Sequence, residues 1–437
     1  MNQRVAFREF NLDSGKPETL AKEIRKAPEE KSDASVSEAV ARILEEVRTG
    51  GDAALARLSK KFDGTTFQRP EDVFASREEI AKARSQLKRE ELRAIKATLE
   101  QIRWLSKKQM QRFTPRRYST PLGFRIVERY APLKRVGGYA PGGLAAYPST
   151  VLMICGPALE AGVEEIVIAT PAKDGKVNPA ILVAADVCGV KEILKAGGAQ
   201  GVAALALGTE TIKKVELVAG PGNAYVTEAK KQLLSQGVIS IDALAGPTEL
   251  LIVADDYADP KLVYEDLISQ AEHGNRTLCG VVSNSQELVS KILEFGAKES
   301  GRERPEQISQ SLLFSVKVDS IKDALGFAEA FAPEHLEVVV SDDSAPSQLI
   351  RSGLVLSGKF TPCSSTDYIV GTNHILPTGG YASRGAGVSV ETFLKRVTLV
   401  RGSKSSLGRS LPYLSSLARL EGLPNHALAA ERRFGGN

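Results

Sequence analysis

The strongest constraint on the fold is a glycine-punctuated alternation of β-rich and helical runs between about Arg135 and Gly246. The run EEIVIAT (164–170) precedes the helical PAILVAADVCG, and KVELVAG (214–220) precedes NAYVTEAKKQLLS. Repeated strand–helix–strand order with short loops predicts a parallel sheet covered by helices, and right-handed crossovers make it open and doubly wound. Ligands bind such sheets beyond the carboxyl ends of the strands.

A second series of the same kind follows this one. It begins with ELLIVADD (249–256) and a helix near Asp259–His273, and it continues through CGVVSN, SLLFSV, HLEVVV and GLVLSG, with a helix ending near Ala332. We therefore predict the α/β class, with two Rossmann-like, incomplete and doubly wound sheet domains and small helical extensions at both ends.

The segments on either side of the two series look helical. The first 135 or so residues are rich in charge, and a capping box of Ser76 and Glu79 opens a helical pattern that runs to Phe113. The apolar stripe of this helix continues to Trp104, which predicts a core position for that side chain. After Gly387 we expect a small helical tail without a strand, docking on another subunit.

The composition limits which classes of partner and which cellular compartment are expected for this chain. The 57 basic and 53 acidic residues leave a net charge of +4, which argues against nucleic acid and anionic membranes as partners. No apolar run approaches the roughly 18 residues of a membrane span, and the first residues lack the apolar core of a signal peptide. The two nearest cysteines, Cys155 and Cys188, lie far apart in sequence, so the cysteine pattern fits a reducing cytoplasm. Cys155 and Cys363 lack an activating motif, and we expect buried thiols rather than nucleophiles.

Four histidines, each in a polar setting, predict a shared site: His273, His335, His374 and His426. Gln270 and His273 lie one turn apart on one helix face, and with Asp367 and a distant histidine they offer oxygen and imidazole donors to Zn²⁺. A histidine stabilised by a helix dipole would explain the same helix end without a metal. Spacing alone leaves both interpretations open.

Glu334 and His335 stand together at a predicted helix-to-strand junction. Neighbouring side chains of an extended backbone point to opposite faces, so the pair could act as acid and base on two sides of a bound molecule. A helix-end glutamate beside a solvent-exposed histidine is the alternative. His374, in GTNHILPTGGY, lies in a turn-rich loop suited to ligand contact.

The glycine motifs do not form a standard dinucleotide fingerprint. Gly220–Asn223 has the place of a phosphate-binding turn, but Tyr225 replaces the third glycine of G-x-G-x-x-G. The glycine-rich runs 137–143 and 197–200 do not match Walker A. A nucleotide site in this sheet therefore stays an open hypothesis.

Nine strings, taken in order, closely resemble histidinol dehydrogenases: RVGGYAPGG, YPSTVLM, GGAQGVAALALGT, VAGPGNAYV, AGPTELLIVADD, SQAEHG, FAPEHLE, DYIVGTNHILPTGGYA and EGLPNHALAAERR. They cover nearly the whole chain, and their ordered combination is highly specific. That family oxidises L-histidinol through the aldehyde to L-histidine with two NAD⁺, the last two steps of histidine biosynthesis, and uses one zinc ion per site. The resemblance thus implies a cytoplasmic oxidoreductase.

The resemblance also implies roles for particular residues. The implied zinc ligands are Gln270, His273, Asp367 and His426, with His426 supplied by the partner chain of a domain-swapped homodimer. His335 matches the base that takes the alcohol proton, and Glu334 matches the residue that activates water for attack on the aldehyde. The implied NAD contacts are Tyr139, Gln200 and Asn223. The residues implied to bind L-histidinol are Thr248, Gln270, His273, His335, Asp367, His374, Glu421 and His426.

On the same basis we divide the chain into four parts. These are an N-terminal extension (1–30), a first domain with the zinc and catalytic residues (31–135 and 248–387), a second domain on the NAD side (136–247) and a tail (388–437), which we expect to be helical and swapped.

Two departures from the family pattern keep an alternative open. Thr248 stands where serine is commoner, and Thr366 stands where a glycine usually precedes the aspartate. Relatives that oxidise other small polar alcohols, such as sulfonated propanediols, are therefore a second candidate, and a zinc hydrolase is a third from another class. Glu421-Gly-Leu before His426 favours histidinol.

Overall fold

The computed structural model describes residues 6–12, 15–26, 33–142, 146–244, 246–274, 276–298, 305–342 and 344–435. The strands are β1 (Phe7–Asn11), β2 (Arg116–Ser119), β3 (Arg125–Pro132), β4 (Arg135–Tyr139), β5 (Glu165–Ala169), β6 (Glu192–Leu194), β7 (Leu217–Ala219), β8 (Ser240–Ile241), β9 (Glu249–Ala254), β10 (Leu278–Ser283), β11 (Leu312–Lys317), β12 (His335–Val339), β13 (Leu354–Ser357) and β14 (Leu394–Arg401).

The α-helices are α1 (Pro17–Lys26), α2 (Asp33–Asp63), α3 (Arg77–Gln86), α4 (Arg89–Met110), α5 (Pro148–Ala161), α6 (Pro179–Val187), α7 (Gly198–Leu207), α8 (Ala224–Ser235), α9 (Pro260–Ala271), α10 (Gln286–Lys298), α11 (Pro305–Ser309), α12 (Ile321–Phe331), α13 (Cys363–Tyr368), α14 (Lys404–Leu420) and α15 (Pro424–Glu431). Short 3₁₀ helices lie at Pro70–Val73, Gln111–Phe113, Ala345–Gln348, Tyr381–Ser383, Val390–Phe393 and Arg432–Phe434.

Two parallel sheets form the body of the molecule. The five-stranded sheet has the order β6-β5-β4-β7-β8, and the six-stranded sheet has the order β1-β11-β10-β9-β12-β13. Every pairing in both sheets is parallel. In each sheet the chain runs outward, returns to the middle and continues on the other side, with the reversal at β4/β7 and at β9/β12. This doubly wound arrangement confirms the predicted fold class.

Continuous apolar runs place the central strands between two layers of helices. All six residues of β9 are buried, as expected for a strand covered on both faces. Leu250 and Ile252 pack with residues of α9, whereas Leu251 and Val253 pack with residues of α12. The alternation follows from the two-residue period of a strand, and it builds one core on each side of the sheet.

The predictions of all-helical flanks were wrong. β14, in the tail, pairs antiparallel with β3, and β3 pairs with β2, which gives a third sheet of three strands. β1 is an edge strand of the six-stranded sheet, parallel to β11. These strands are largely exposed and rich in charge, as in LKRVTLVR of β14, so no buried apolar run marks them in the sequence.

The expected helix from Ser76 to Phe113 is in fact two helices. The capping box of Ser76 and Glu79 is present, but α3 ends at an extended Leu87 before α4 begins. Trp104 is 58% exposed, so its predicted core position was also wrong. The buried face of α4 includes Leu99 and Ile102, and a residue two positions after Ile102 points about 200° away from it on a helix.

The N-terminal helices pack differently from the expected division. α2 packs against α7 and α8, and α4 packs against α5, so these helices cover the five-stranded sheet. The expectation had grouped residues 31–135 with 248–387. β1 and α1 belong to the six-stranded sheet, since α1 packs on α12. Residues 1–5, 13–14 and 27–32 of the expected extension and its boundary lie outside the described residues.

Among the described helices, none combines the length and the apolar character needed to cross a lipid bilayer. All four cysteines are buried free thiols, as we expected for Cys155 and Cys363.

Candidate active site

The predicted acid and base lie at the amino edge of the six-stranded sheet. His335 is the first residue of β12, Glu334 precedes it, and Thr248 immediately precedes β9. β12 and β9 are neighbours, with His335 beside Leu250. Ligands of doubly wound sheets commonly bind at the opposite, carboxyl edge. The site thus lies at the predicted helix-to-strand junction of Glu334 and His335, and not at the edge that the fold class favours.

The ends of two helices meet at the same edge. Gln270 lies in the last turn of α9, and Asp367 lies in the short helix α13. The Gln270 Nε2 atom is 3.3 Å from Asp367 Oδ2. Gln270 is 2% exposed, and burial raises the pKa of Asp367 to about 6. The structure thus joins two of the predicted metal ligands.

His335 is a buried, neutral imidazole. The residue is 2% exposed, and neither ring nitrogen has a hydrogen-bond partner among the described residues. Burial, with a smaller contribution from the neighbouring His374 and His273, lowers the pKa of His335 to about 3. Such an imidazole can accept a proton from a group that enters the site. The alternative of a solvent-exposed histidine is excluded by its burial.

Glu334 is the carboxyl group next to this imidazole. Its Oε2 atom lies 3.9 Å from His335 Nδ1 and accepts a hydrogen bond of 3.0 Å from the backbone N–H of Glu249. Burial raises the pKa of Glu334 well above its usual range, and the negative charges of Glu249 and Asp367 add to the rise. The neighbouring acid and base are therefore shifted in opposite directions, a pattern typical of catalytic pairs.

His374 lies against the backbone of the same site. Its Nδ1 atom is 3.2 Å from the Asp367 carbonyl oxygen, which can only accept, so Nδ1 carries the proton. Burial lowers the pKa of His374 to about 4, which keeps the ring neutral. The other nitrogen, Nε2, then presents a lone pair.

Cys363 is a member of the site that the sequence analysis did not include. Ligand atoms of His335, Cys363 and Asp367 lie within 4.8 Å of one another. Burial raises the pKa of the Cys363 thiol, so the sulfur keeps its proton. Its place four residues before Asp367, at the start of α13, is the one sequence signal that could have found it.

The donors around this cluster fit a divalent transition metal. They are a carboxylate, a carboxamide and neutral imidazoles, and borderline ions such as Zn²⁺ take oxygen and nitrogen ligands of these kinds. The ring nitrogens of the buried His335 have no hydrogen-bond partner among the described residues, which fits a polar site that receives a group from outside the chain.

The residues predicted to contact NAD lie at the carboxyl edge of the five-stranded sheet. Tyr139 ends β4, Asn223 follows β7, and Gln200 lies in the first turn of α7. The Tyr139 hydroxyl accepts a hydrogen bond of 2.9 Å from the Gly198 N–H. Burial raises the pKa of Tyr139 to about 12. This edge contains the reversal between β4 and β7, where doubly wound sheets form a crevice.

Asp63 organises this edge, although the sequence analysis gave it no role. Its Oδ2 atom accepts hydrogen bonds from the Gly197 N–H at 3.0 Å and from Gln200 Nε2 at 3.2 Å. Asp63 ends α2, far from Gln200 in sequence, so only the fold brings the two together.

Backbone geometry and a buried ion pair fix the turn at Gly220. Gly220 has φ +120°, and a Cβ atom there would overlap the Tyr139 carbonyl oxygen. Its N–H donates to Asp242 Oδ2 at 2.8 Å, and the buried Lys230 ion-pairs with Asp242. The Asn223 side chain accepts from two backbone N–H groups and caps α8. The turn is thus fixed without the third glycine.

The two predicted sites face each other through Tyr147 and His273. The two rings are stacked, with centroids 6.1 Å apart and planes at 20°. Tyr147 precedes α5 on the five-stranded side, and His273 follows α9 on the six-stranded side. The carboxyl edge of one sheet therefore meets the amino edge of the other.

Glu421 and His426 lie on the tail. Both are exposed, and α15, which carries His426, packs against α14. Neither residue is among the groups that shift the pKa of His335, His374 or Asp367.

Known proteins resemble this chain over nearly its whole length. The family described as histidinol dehydrogenase matches residues 26–434. The histidinol dehydrogenase of Zymomonas mobilis subsp. mobilis is 39% identical over 424 residues, which cover 96% of this chain and 97% of that protein. The enzyme of that name from Methanocaldococcus jannaschii is 40% identical over 402 residues, covering 90% and 92%.

A solved structure agrees with these sequence matches. The crystal structure of histidinol dehydrogenase from Elizabethkingia anophelis superposes with a TM-score of 0.90 at 32% identity, covering 99% of both chains. Both the sequence and the fold thus show that the chain belongs to the histidinol dehydrogenase family of oxidoreductases.

Proposed function

We propose that this protein oxidises L-histidinol through L-histidinaldehyde to L-histidine, the last two steps of histidine biosynthesis, using NAD and one zinc ion per site. The observation that carries the proposal is the buried pair of Glu334 and His335, 3.9 Å apart, with pKa values shifted in opposite directions. Two successive oxidations need a base for the alcohol and a group that activates water for the aldehyde.

His335 would take the alcohol proton in the first step. Its imidazole is neutral and its ring nitrogens have no partner among the described residues, so it can accept that proton without first losing one. The hydride that leaves the same carbon goes to NAD, the acceptor in both steps.

Glu334 would activate water in the second step. Burial raises the pKa of Glu334, so its ionised carboxylate is a stronger base than an ordinary exposed carboxylate. Attack of that water on the aldehyde gives a hydrate, and loss of a second hydride from the hydrate yields the carboxylate of histidine.

The zinc ligands in this proposal are Gln270, His273 and Asp367, with His426 of the partner subunit as the fourth. The contact between Gln270 and Asp367, and the place of His273 one turn further along, support the set. When bound, zinc would hold the imidazole and amino nitrogens of the substrate and so fix the reacting carbon.

The remaining implied residues would position the substrate and the cofactor. Thr248 lies at the amino edge of the six-stranded sheet, and His374 lies in the loop beside Asp367. Glu421 would come from the partner tail. The NAD contacts would lie on the other side of the Tyr147–His273 contact. They would come from Asn223 in the Gly220 turn and from the buried Tyr139 and Gln200.

A swapped homodimer accounts for the exposed tail. Tyr413, Leu417 and Leu420 lie on one face of α14 and are 71%, 56% and 83% exposed. An apolar face of this kind is typical of a surface that a partner covers. We therefore place the tail on a second copy, where His426 and Glu421 would complete its site, and the buried free thiols fit a cytoplasmic location.

A substrate panel tests the proposal against its alternatives. The purified zinc-loaded protein is assayed for NAD reduction with L-histidinol, a sulfonated propanediol and simple polar alcohols. Turnover of histidinol well above the others supports the proposal. Turnover of another alcohol but not of histidinol would identify the protein as one of the related dehydrogenases. Absence of NAD reduction with every alcohol would favour the hydrolase hypothesis.

Two variants test the division of labour. We expect His335→Asn to abolish the first oxidation, whereas Glu334→Gln should mainly slow oxidation of added histidinaldehyde. Equal loss of both steps in Glu334→Gln would contradict the roles assigned to the pair.

A further inference from the structure

A buried ion pair lies directly behind Glu334. The Arg25 guanidinium, from α1, binds the Glu249 carboxylate with two bonds, Nε to Oε1 at 2.9 Å and Nη2 to Oε2 at 3.1 Å. The side chain of Glu249 is 1% exposed and that of Arg25 is 20% exposed. Such a bidentate pair, a fork of two N–H groups on two carboxylate oxygens, fixes the orientation of both side chains as well as neutralising their charges. The family match begins only at residue 26, just after this arginine.

This pair reaches Glu334 along two routes. In the first, the backbone N–H of Glu249 donates to Glu334 Oε2 at 3.0 Å. In the second, Arg25 Nη2 donates to the carbonyl oxygen of Ala332 at 3.4 Å, two residues before Glu334. Ala332 has φ +46° and ends α12 in a left-handed conformation. A non-glycine residue holds such a conformation only when its surroundings fix it.

Other contacts make the guanidinium a fixed point. It lies 4.0 Å over the ring of Phe331, and the Gly379 N–H donates to Glu249 Oε1 at 3.2 Å. Gly379 belongs to the loop that carries His374. The Arg25–Glu249 pair therefore ties together α1, the first residue of β9, the end of α12 and this loop.

We propose that Arg25 is a positioning residue for Glu334: through the Glu249 backbone and the Ala332 carbonyl, its guanidinium sets where the Glu334 carboxyl lies in the site. The N-terminal segment is thus part of the support of the active site. The inference rests on the proposed function only in assigning Glu334 to the aldehyde step.

The first test needs no turnover. The free energy of unfolding is measured for the wild type, Arg25→Met, Glu334→Gln and the double variant. If Arg25 holds Glu334, the two losses will not add, because Arg25→Met already releases the carboxyl that Glu334→Gln alters. Additive losses would overturn the proposal. Arg25→Lys, which keeps the charge but loses the fork, replaces the methionine variant if that one does not fold.

The second test separates the two oxidations. We expect Arg25→Met to slow oxidation of histidinaldehyde by about tenfold or more, as small displacements of a catalytic group do, and to change the first hydride transfer from histidinol much less. Arg25→Lys should restore part of the rate, because it keeps a cation beside the buried Glu249 carboxylate but loses the fork. Equal slowing of both steps in Arg25→Met would contradict the proposal.

The control is Arg84→Met, which breaks an exposed ion pair with Asp186 on another helix. It should leave both steps unchanged. If the wild type oxidises neither substrate, the proposed function fails, whereas the unfolding cycle still decides whether Arg25 positions Glu334.

Discussion

The carboxamide nitrogen of Gln270 lies 3.3 Å from a carboxylate oxygen of Asp367, although 97 residues separate the two along the chain. This contact brings the end of α9 to α13, whose Asp367 lies in one cluster with His335 and Cys363. A buried carboxylate next to a carboxamide offers two oxygen donors to a cation. The metal hypothesis depends on this contact more than on any other.

The first prediction concerns metal affinity. Asp367→Asn should weaken zinc binding at least tenfold, because it removes the anionic donor and leaves its neighbours in place. Competition against a chromogenic chelator measures the effect without an activity assay. Asp319→Asn, at an exposed carboxyl group, is the control and should bind zinc like the wild type. Unchanged zinc affinity in Asp367→Asn would rule out this residue as a ligand.

The second prediction concerns the turn on the NAD side. Gly220→Ala should destabilise the fold by about 3 kcal/mol or more, since it combines a left-handed φ with overlap on the Tyr139 backbone. The matched control is Gly237→Ala. Gly237 also has a positive φ, +68°, but nothing lies within 4 Å of an added Cβ, so the cost should be only about 1 kcal/mol.

Urea unfolding of the two glycine variants gives these costs. If NAD binds at this turn, Gly220→Ala should also raise the KM for NAD while Gly237→Ala leaves it unchanged. Equal destabilisation by both substitutions would show that the overlap at Gly220 is relieved.

The third prediction concerns a buried acid pair that links α9 to β12. The Asp266 and Glu337 carboxyl groups share a hydrogen bond, and burial raises the pKa of Asp266 from its ordinary value of 3.8 to about 6. The folded state thus binds this proton more tightly than the unfolded chain does. The resulting stabilisation is complete below about pH 4 and is lost as the pH rises through about 6.

Asp266→Asn should remove this contribution to the pH dependence, since a neutral amide has no proton to lose across this range. Between pH 4 and 7 we expect the wild type to lose about 1 kcal/mol more unfolding free energy than the variant, after allowance for partial exposure. Urea unfolding across this range measures it. Glu306→Gln, at an exposed position, is the control and should behave like the wild type. If the unfolding free energy of Asp266→Asn changes with pH as that of the wild type does, the raised pKa of Asp266 is refuted.

The fourth prediction tests the shared site. A His335→Asn variant and a His426→Asn variant should each be inactive. After subunit exchange, about a quarter of the sites in an equal mixture should combine an intact body with an intact tail and recover activity. Exchange is verified with differently tagged chains. No recovery after proven exchange would show that each site is built from one chain.

The parallel sheets could be predicted because their strands are continuous apolar runs separated by glycines. β9 and β12 are buried along their whole length, so their local composition reveals them. β14 could not be predicted in this way. It is largely exposed and pairs with β3, more than 260 residues earlier, so its hydrogen bonds depend on a contact that no local pattern contains.

The site shows a similar limit. Unusual polar motifs made four site residues recognisable in the sequence: Gln270, Glu334, His335 and Asp367. Arg25, however, is an ordinary charged residue of an amphipathic helix, and only the fold places it on Glu249. Residues that support a site from distant elements leave no local signal.

The central claim is that one site carries out two successive oxidations of L-histidinol. The most direct measurement counts NADH formed per histidinol consumed by the zinc-loaded protein, identifies the product by mass, and repeats the assay after chelation and zinc return. We predict two NADH and one histidine per histidinol, lost on chelation and restored by zinc. One NADH with accumulated aldehyde, or turnover indifferent to chelation, would contradict the account.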